Sequence, residues 1–171
     1  DGTTAVTSIV ATDRAFAAIR ADGSVVTWGD SSYGGDSSSV SSELDGTTAV
    51  TSIVATNTAF AAIRADGSVV TWGNSTSGGD SSAVSSQLDG TTAVTTIYAT
   101  GSAFAAIRSD GSVITWGDSS YGGDSTSVSS ELDGTTAVTS ITAASGLFGG
   151  AFAAIRADGS VVTWGNSTSG G

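Results

Sequence analysis

The sequence predicts a mainly β fold of tandem meander repeats, arranged as a propeller-like or open β array with room for one short helix per repeat. Three observations carry that expectation. A 44-residue unit recurs over 1–44, 45–88, 89–132 and, shortened, 133–171. Each unit holds an apolar run, an Asp-Gly pair and a β-branched run ending in Trp-Gly, as in AFAAIRADGSVVTWG at Ala15–Gly29. A unit of this size cannot bury its apolar surfaces alone, so neighbours must cover them and 1–171 forms one array.

The hairpin is the centre of each unit. Asp-Gly between two apolar runs is a strong turn signal, because Gly accepts the positive φ of a tight turn. The turn Asp22-Gly23 thus joins a strand around Phe16–Ala21 to a strand over Val25–Trp28, which Gly29 ends. Ahead of them, AVTSIVAT (Ala5–Thr12) alternates Val6, Ser8 and Val10 with Thr7, Ile9 and Ala11. Both faces of that first strand are partly apolar, which suits a sheet covered on both sides. Asp13-Arg14 links it to the second strand. Three antiparallel strands in series are the unit of a propeller blade or a sheet solenoid.

Fifteen residues, Asp30 to Leu44, complete the unit. That is long for a structureless connection. Tyr33-Gly34-Gly35 reads as a turn. DSSSVSSEL over 36–44 admits a short helix capped by Asp36 or Ser37, with Val40 and Leu44 stacked one turn apart. It also admits a fourth strand with Val40, Ser42 and Leu44 on one face. Both bury Val40 and Leu44, and the Asp-Ser start leans towards the helix.

The units are not equivalent. Units one and two differ at seven positions. Units one and three carry Asp30 and Asp118, Tyr33 and Tyr121, Glu43 and Glu131; units two and four carry Asn74 and Asn166, Ser77 and Ser169. Duplication of a two-unit block explains this without physics. Alternatively, odd and even units face different surroundings, which an even ring or an open array can hold without a mismatched seam. Unit four also carries four extra residues around Ser145–Gly150, with an apolar tip at Leu147-Phe148. Per-repeat insertions mark one exposed face, so this tip is either a contact site or a plug over the end of the array. Tyr33, Tyr121, Leu147 and Phe148 are the candidate contact residues.

Composition excludes much. There is no Pro, Cys, Met, His or Lys. Nucleophile systems that need His or Cys are therefore impossible, as are imidazole or thiolate zinc sites. The recurring aspartates sit where turns and caps use them, without the dense spacing of a calcium loop. Gly34-Gly35 lacks the motif of a phosphate cradle. These absences point to no enzyme, no metal and no cofactor. A formal charge of −11 disfavours nucleic acid and anionic membrane surfaces. No apolar run approaches the roughly 18 residues of a spanning helix, so membrane insertion is not expected. The four tryptophans Trp28, Trp72, Trp116 and Trp164 are expected to fill unit-to-unit contacts, each burying a large apolar area.

The segment VTSIVATDRAFAAIRADGSVVTWGDSSYGG resembles the regulator of chromosome condensation repeat, in the short-repeat branch of the β-lactamase inhibitor proteins. The resemblance rests on DGSVVTWG at Asp22–Gly29 and its three equivalents, and on SYGG at Ser32–Gly35 and Ser120–Gly123. It implies a propeller-like fold whose members act by binding proteins, either inhibiting β-lactamases or promoting nucleotide exchange on a small GTPase at chromatin. Only the fold is carried over. The polar pairs Asp13-Arg14 and Asn57-Thr58 replace the small pair and His often found there, and the acidic chain has no basic tail.

The sequence therefore reads as a non-catalytic structural repeat protein, a segment of a longer secreted array or filament that self-associates with further repeats or copies. The alternative is a discrete propeller that binds a protein partner through loops on one face. Ser/Thr richness without Lys points to an extracellular or cell-surface location.

Overall fold

A computed structural model describes residues 4–171. Twelve strands form four separate three-stranded antiparallel sheets, each in chain order. Blade one holds β1 (Val6–Ala11), β2 (Ala15–Arg20) and β3 (Val25–Gly29). Blade two holds β4 (Val50–Ala55), β5 (Ala59–Arg64) and β6 (Val69–Gly73), and blade three β7 (Val94–Ala99), β8 (Ala103–Arg108) and β9 (Val113–Gly117). Blade four holds β10 (Val138–Gly146), β11 (Gly149–Arg156) and β12 (Val161–Gly165). The expected meander is thus present in all four units, its strand ends in unit one within a residue of those expected, while in unit four the extra residues extend β10 and β11 as a hairpin and not as a loop.

The turns form for local reasons. Gly23 takes φ +80°, and the Asp22 carboxylate accepts the Ser24 amide and hydroxyl at 3.0 and 2.7 Å. This pins the register that pairs Phe16 with Trp28 and Ile19 with Val25. A bulge near the start of each first strand, between Val6 and Ser8 in blade one, shifts its pairing by one residue.

The link after the third strand takes the expected short helix, in 3-10 form, and not the fourth strand. Short 3-10 turns occupy Ser31–Tyr33 and Ser38–Glu43, the second kinked at Val40, whose φ of −122° is not helical. Leu44 is buried, and its carbonyl accepts the Val25 amide at 2.9 Å. The link thereby closes the free edge of the third strand, the work a fourth strand would do. Asp36 does cap the turn, accepting the Ser38 amide at 2.9 Å.

The core lies between blades. The middle strand AFAAI is buried on both faces: Phe60 and Ala62 pack against Ala15, Ala17 and Ile19 of the preceding blade. Ala59, Ala61 and Ile63 pack against Phe104 and Ala106 of the following blade. Alanines on one side leave the space that Phe and Trp fill on the other. Three-stranded sheets this small need such cover to be stable.

Candidate functional site

Each junction between blades is built the same way. Phe and Trp of the later blade stack, with ring centroids 5.2 Å apart for Phe60–Trp72 and for Phe104–Trp116. The Trp Nε1–H reaches back to a glycine carbonyl of the earlier blade: Trp72 to Gly34, Trp116 to Gly78 and Trp164 to Gly122, each at 3.1 Å. The first strand of the later blade adds a backbone bond to the earlier Asp-Gly turn, Val50 N to Gly23 O, Val94 N to Gly67 O and Val138 N to Gly111 O, each at 2.9 Å. The tryptophans fill unit-to-unit contacts, as expected, at three of the four positions.

The fourth position is different. Trp28 and Phe16 belong to blade one, the first of the four described blades. They are 45% and 43% exposed, against 2% for Trp72 and 0% for Phe60. Val6 and Ile9 are exposed on the same side, whereas Val50 and Ile53 are buried. These four residues make a leading apolar face. At the other end Ile155 and Val161 of blade four are exposed, although the Ile155 counterparts Ile63 and Ile107 and the Val161 counterpart Val113 are buried. A Cβ built on Gly159 or Gly170 would meet nothing within 4 Å, where the equivalent Gly23 lies against Ala49 and Gly34 against Phe60. This is a trailing face, apolar at Ile155 and Val161 and open at Gly159 and Gly170.

The predicted contact residues fall in two places. Tyr33 is half-buried in the cluster between blades one and two, with the Arg14 guanidinium 5.0 Å from its ring centroid. Tyr121 packs in the cluster between blades three and four, and its hydroxyl donates to the Leu147 carbonyl at 3.3 Å. Leu147 and Phe148 form the tip of the lengthened β10–β11 hairpin and are 86% and 87% exposed. Neither joins a core cluster among the described residues. Tyr121 and the tip are brought together, whereas Tyr33 sits at the other end of the array. The leading face was not singled out in the sequence, because its residues recur unchanged in buried copies. Their place in the first unit was the only signal.

The aspartates serve the turns. Hydrogen bonds from the serine two residues on, the hydroxyl first and then the amide, hold the carboxyls of Asp22, Asp66 and Asp158 below their ordinary value of 3.8, and the Ser112 hydroxyl does the same for Asp110. Among the described residues no group of three or more Asp or Glu side chains could hold a metal ion. An open groove of about 690 Å³ runs between the link of blade two and β9, lined by Asp80, Val84, Arg108, Trp116 and Asp124 among others. A smaller counterpart of about 410 Å³ lies one blade earlier, so the groove belongs to the repeat and not to a unique site. No helix among the described residues is long and apolar enough to cross a membrane.

Four blades stacked through one repeated junction define a β-propeller-type repeat scaffold. Residues 6–34 match the family described as the regulator of chromosome condensation (RCC1) repeat. The matched segment is one RCC1-like repeat, and the four-blade fold is RCC1-like. The fold is similar to that of yeast (Saccharomyces cerevisiae) Prp20p, with a TM-score of 0.61 and 16% identity over 94% of this chain and 44% of that one. It is similar also to the ectodomain of the Physcomitrella patens receptor kinase CR4, with a TM-score of 0.60 and 20% identity over 96% and 42%. Human WBSCR16 aligns with a TM-score of 0.60 and 18% identity over 96% and 48%. The chain spans less than half the length of each of these. At such identities the likeness is one of fold. Prp20p has binding properties to Gsp1p and histones. No curated protein matches the sequence.

Proposed function

We propose that this chain is a non-catalytic structural module that assembles with further blades of its own kind, as part of an extracellular or cell-surface array. The observation that carries this reading is the leading face. Phe16 and Trp28 are stacked as in the other blades, 5.3 Å apart, yet stand open to solvent. Exposed apolar faces of this kind mark interaction sites. The RCC1-like fold supports a role in protein binding, and the acidic charge of −11 favours no nucleic acid. Sedimentation velocity and electron microscopy of the purified chain over a concentration series test the reading. Oligomers that grow with concentration are expected, and compact monomers throughout would refute it.

A second reading has its own observation. Leu147 and Phe148 project from a glycine-flanked tip held by Tyr121, as an anchor for a different protein would. The double substitution Leu147→Ser, Phe148→Ser should abolish retention of a partner recovered with the wild-type chain. Unchanged retention removes the tip from the account.

A further inference from the structure

We infer that copies of this chain join head to tail, the trailing face of blade four on one copy receiving Phe16 and Trp28 of the next. The inference rests on the assembly reading above and adds the occupant, the contacts and the polarity of the joint. Its template is the junction between blades two and three. Blades two and four share Asn74 and Asn166, Ser77 and Ser169, and blades one and three share Tyr33 and Tyr121. A joint from blade four to blade one is therefore even-to-odd, as that junction is.

Both halves of the joint are already shaped. On the trailing side, Asn166 caps the 3-10 turn Ser167–Ser169, and Gly170 follows it at φ +97°. Asn74, the turn Ser75–Ser77 and Gly78 at φ +94° do the same at the template. There the Gly78 carbonyl accepts the Trp116 indole, and Phe104 lies against the Gly78 backbone. Gly170 has no such neighbour. On the leading side, the Phe16–Trp28 stack has formed without a blade to hold it, and the Trp28 Nε1–H has no partner among the described residues. A second contact is matched as well. The Gly67 carbonyl accepts the Val94 amide, whereas Gly159 is open and Val6 exposed. The joint thus sets Trp28 Nε1 on the Gly170 carbonyl, the Phe16 ring on the Gly170 backbone, and the Val6 amide on the Gly159 carbonyl.

Two like faces cannot make these bonds. The leading face brings aromatic rings and the indole donor, and the trailing face brings the glycine acceptors. The contact is heterologous, so repetition of it yields a ring or a filament, depending on whether the rotation closes. At the template Val84 and Leu88 of the link add to the junction core. The joint as drawn rests on the Trp, Phe and Val contacts, and as a contact between copies it depends on concentration.

The test uses one variant blind at each end. Trp28→Ala removes the donor on the leading face. Gly170→Val puts a branched side chain on the acceptor, in the turn that follows the last strand of blade four. Circular dichroism checks both. Each variant alone should associate about tenfold or more weakly than wild type in sedimentation velocity, as expected for a central aromatic anchor. Mixed in equal amounts they should give dimers and nothing longer, since each copy keeps one working end. Oligomers longer than dimers in the mixture, or none at all while wild type assembles, overturn the head-to-tail joint. So does Trp28→Ala associating like wild type, an outcome that leaves assembly standing through another surface. A wild-type chain that stays monomeric overturns both the joint and the reading it rests on.

Discussion

Replacing Trp72 by Phe separates the interblade hydrogen bond from the rest of the junction. The Trp72 Nε1–H donates to the Gly34 carbonyl at 3.1 Å in a buried setting. Phe keeps an aromatic ring against Phe60 but cannot donate. The loss is the net value of one hydrogen bond plus the desolvation of a carbonyl left without its partner, together about 1–3 kcal/mol. For a chain of this size that lowers Tm by about 2–10 °C. Trp28→Phe is the internal control. The same substitution in an identical local sequence removes a donor that has no partner among the described residues, and should leave Tm within about 1 °C in dilute solution. Thermal unfolding by circular dichroism, with urea titration to detect loss of two-state behaviour, reads both. Equal destabilisation by the two variants would refute the reasoning, because it would place the contribution of Trp inside its own blade.

Two further outcomes follow from the same geometry. Gly78→Ala and Gly170→Ala share the cost of a side chain at positive φ, about 1–2 kcal/mol, but only at Gly78 does the new Cβ fall 2.5 Å from a carbon of the Phe104 ring. Gly78→Ala should therefore lower Tm clearly more than Gly170→Ala, and equal shifts would mean the ring gives way at no cost. The aspartates give a pH dependence of known sign. The Asp66 carboxyl titrates below its ordinary value of 3.8 in the folded chain, chiefly because the Ser68 hydroxyl and amide hydrogen-bond to it. Its contribution is thus complete above that value and is lost as pH falls through the lower folded-state pKa, since the unfolded chain then binds more protons. Asp66→Asn keeps an acceptor oxygen but does not titrate. Its denaturation midpoint should fall less steeply between pH 5 and pH 2 than that of wild type, and parallel curves would remove the turn carboxylates from the acid response.

What was legible in the sequence was whatever each repeat decides locally. Asp22-Gly23 and its flanking runs fix a hairpin within fifteen residues, so strands and turns could be read directly. The link could not, because the spacing of Val40 and Leu44 satisfies a helix and a strand equally. What decides it is a partner distant in sequence, the Val25 amide that takes the Leu44 carbonyl. The exposed apolar faces were hidden for a different reason. Trp28 and Trp72 sit in the same words, DGSVVTWG, and burial is a property of the neighbour and not of the word. The Tyr positions stood out as irregular, yet Tyr33 and Tyr121 serve mostly to pack the odd-to-even junctions. The cluster between blades two and three has no Tyr in that role.

The alternation of units then acquires a physical meaning beyond duplication. Odd-to-even junctions carry a Tyr from the link of the earlier blade, and the even-to-odd junction carries the buried Ser77. The two kinds of junction share the Trp-to-Gly bond and differ beside it. A second device breaks the regularity at blade four. The loops between first and second strands form a ladder, with the Asp13 amide on the Asn57 carbonyl at 2.9 Å and the Asn57 amide on the Gly101 carbonyl at 3.0 Å. At the next step the Gly101 amide meets the Ser145 hydroxyl instead, and the chain leaves the ladder as the Leu147-Phe148 hairpin. The backbone ladder is interrupted where the apolar faces are not. The open faces of blades one and four and the Leu147-Phe148 tip are therefore different surfaces, so the proposed growth of the array and the proposed binding at the tip do not compete for the same residues.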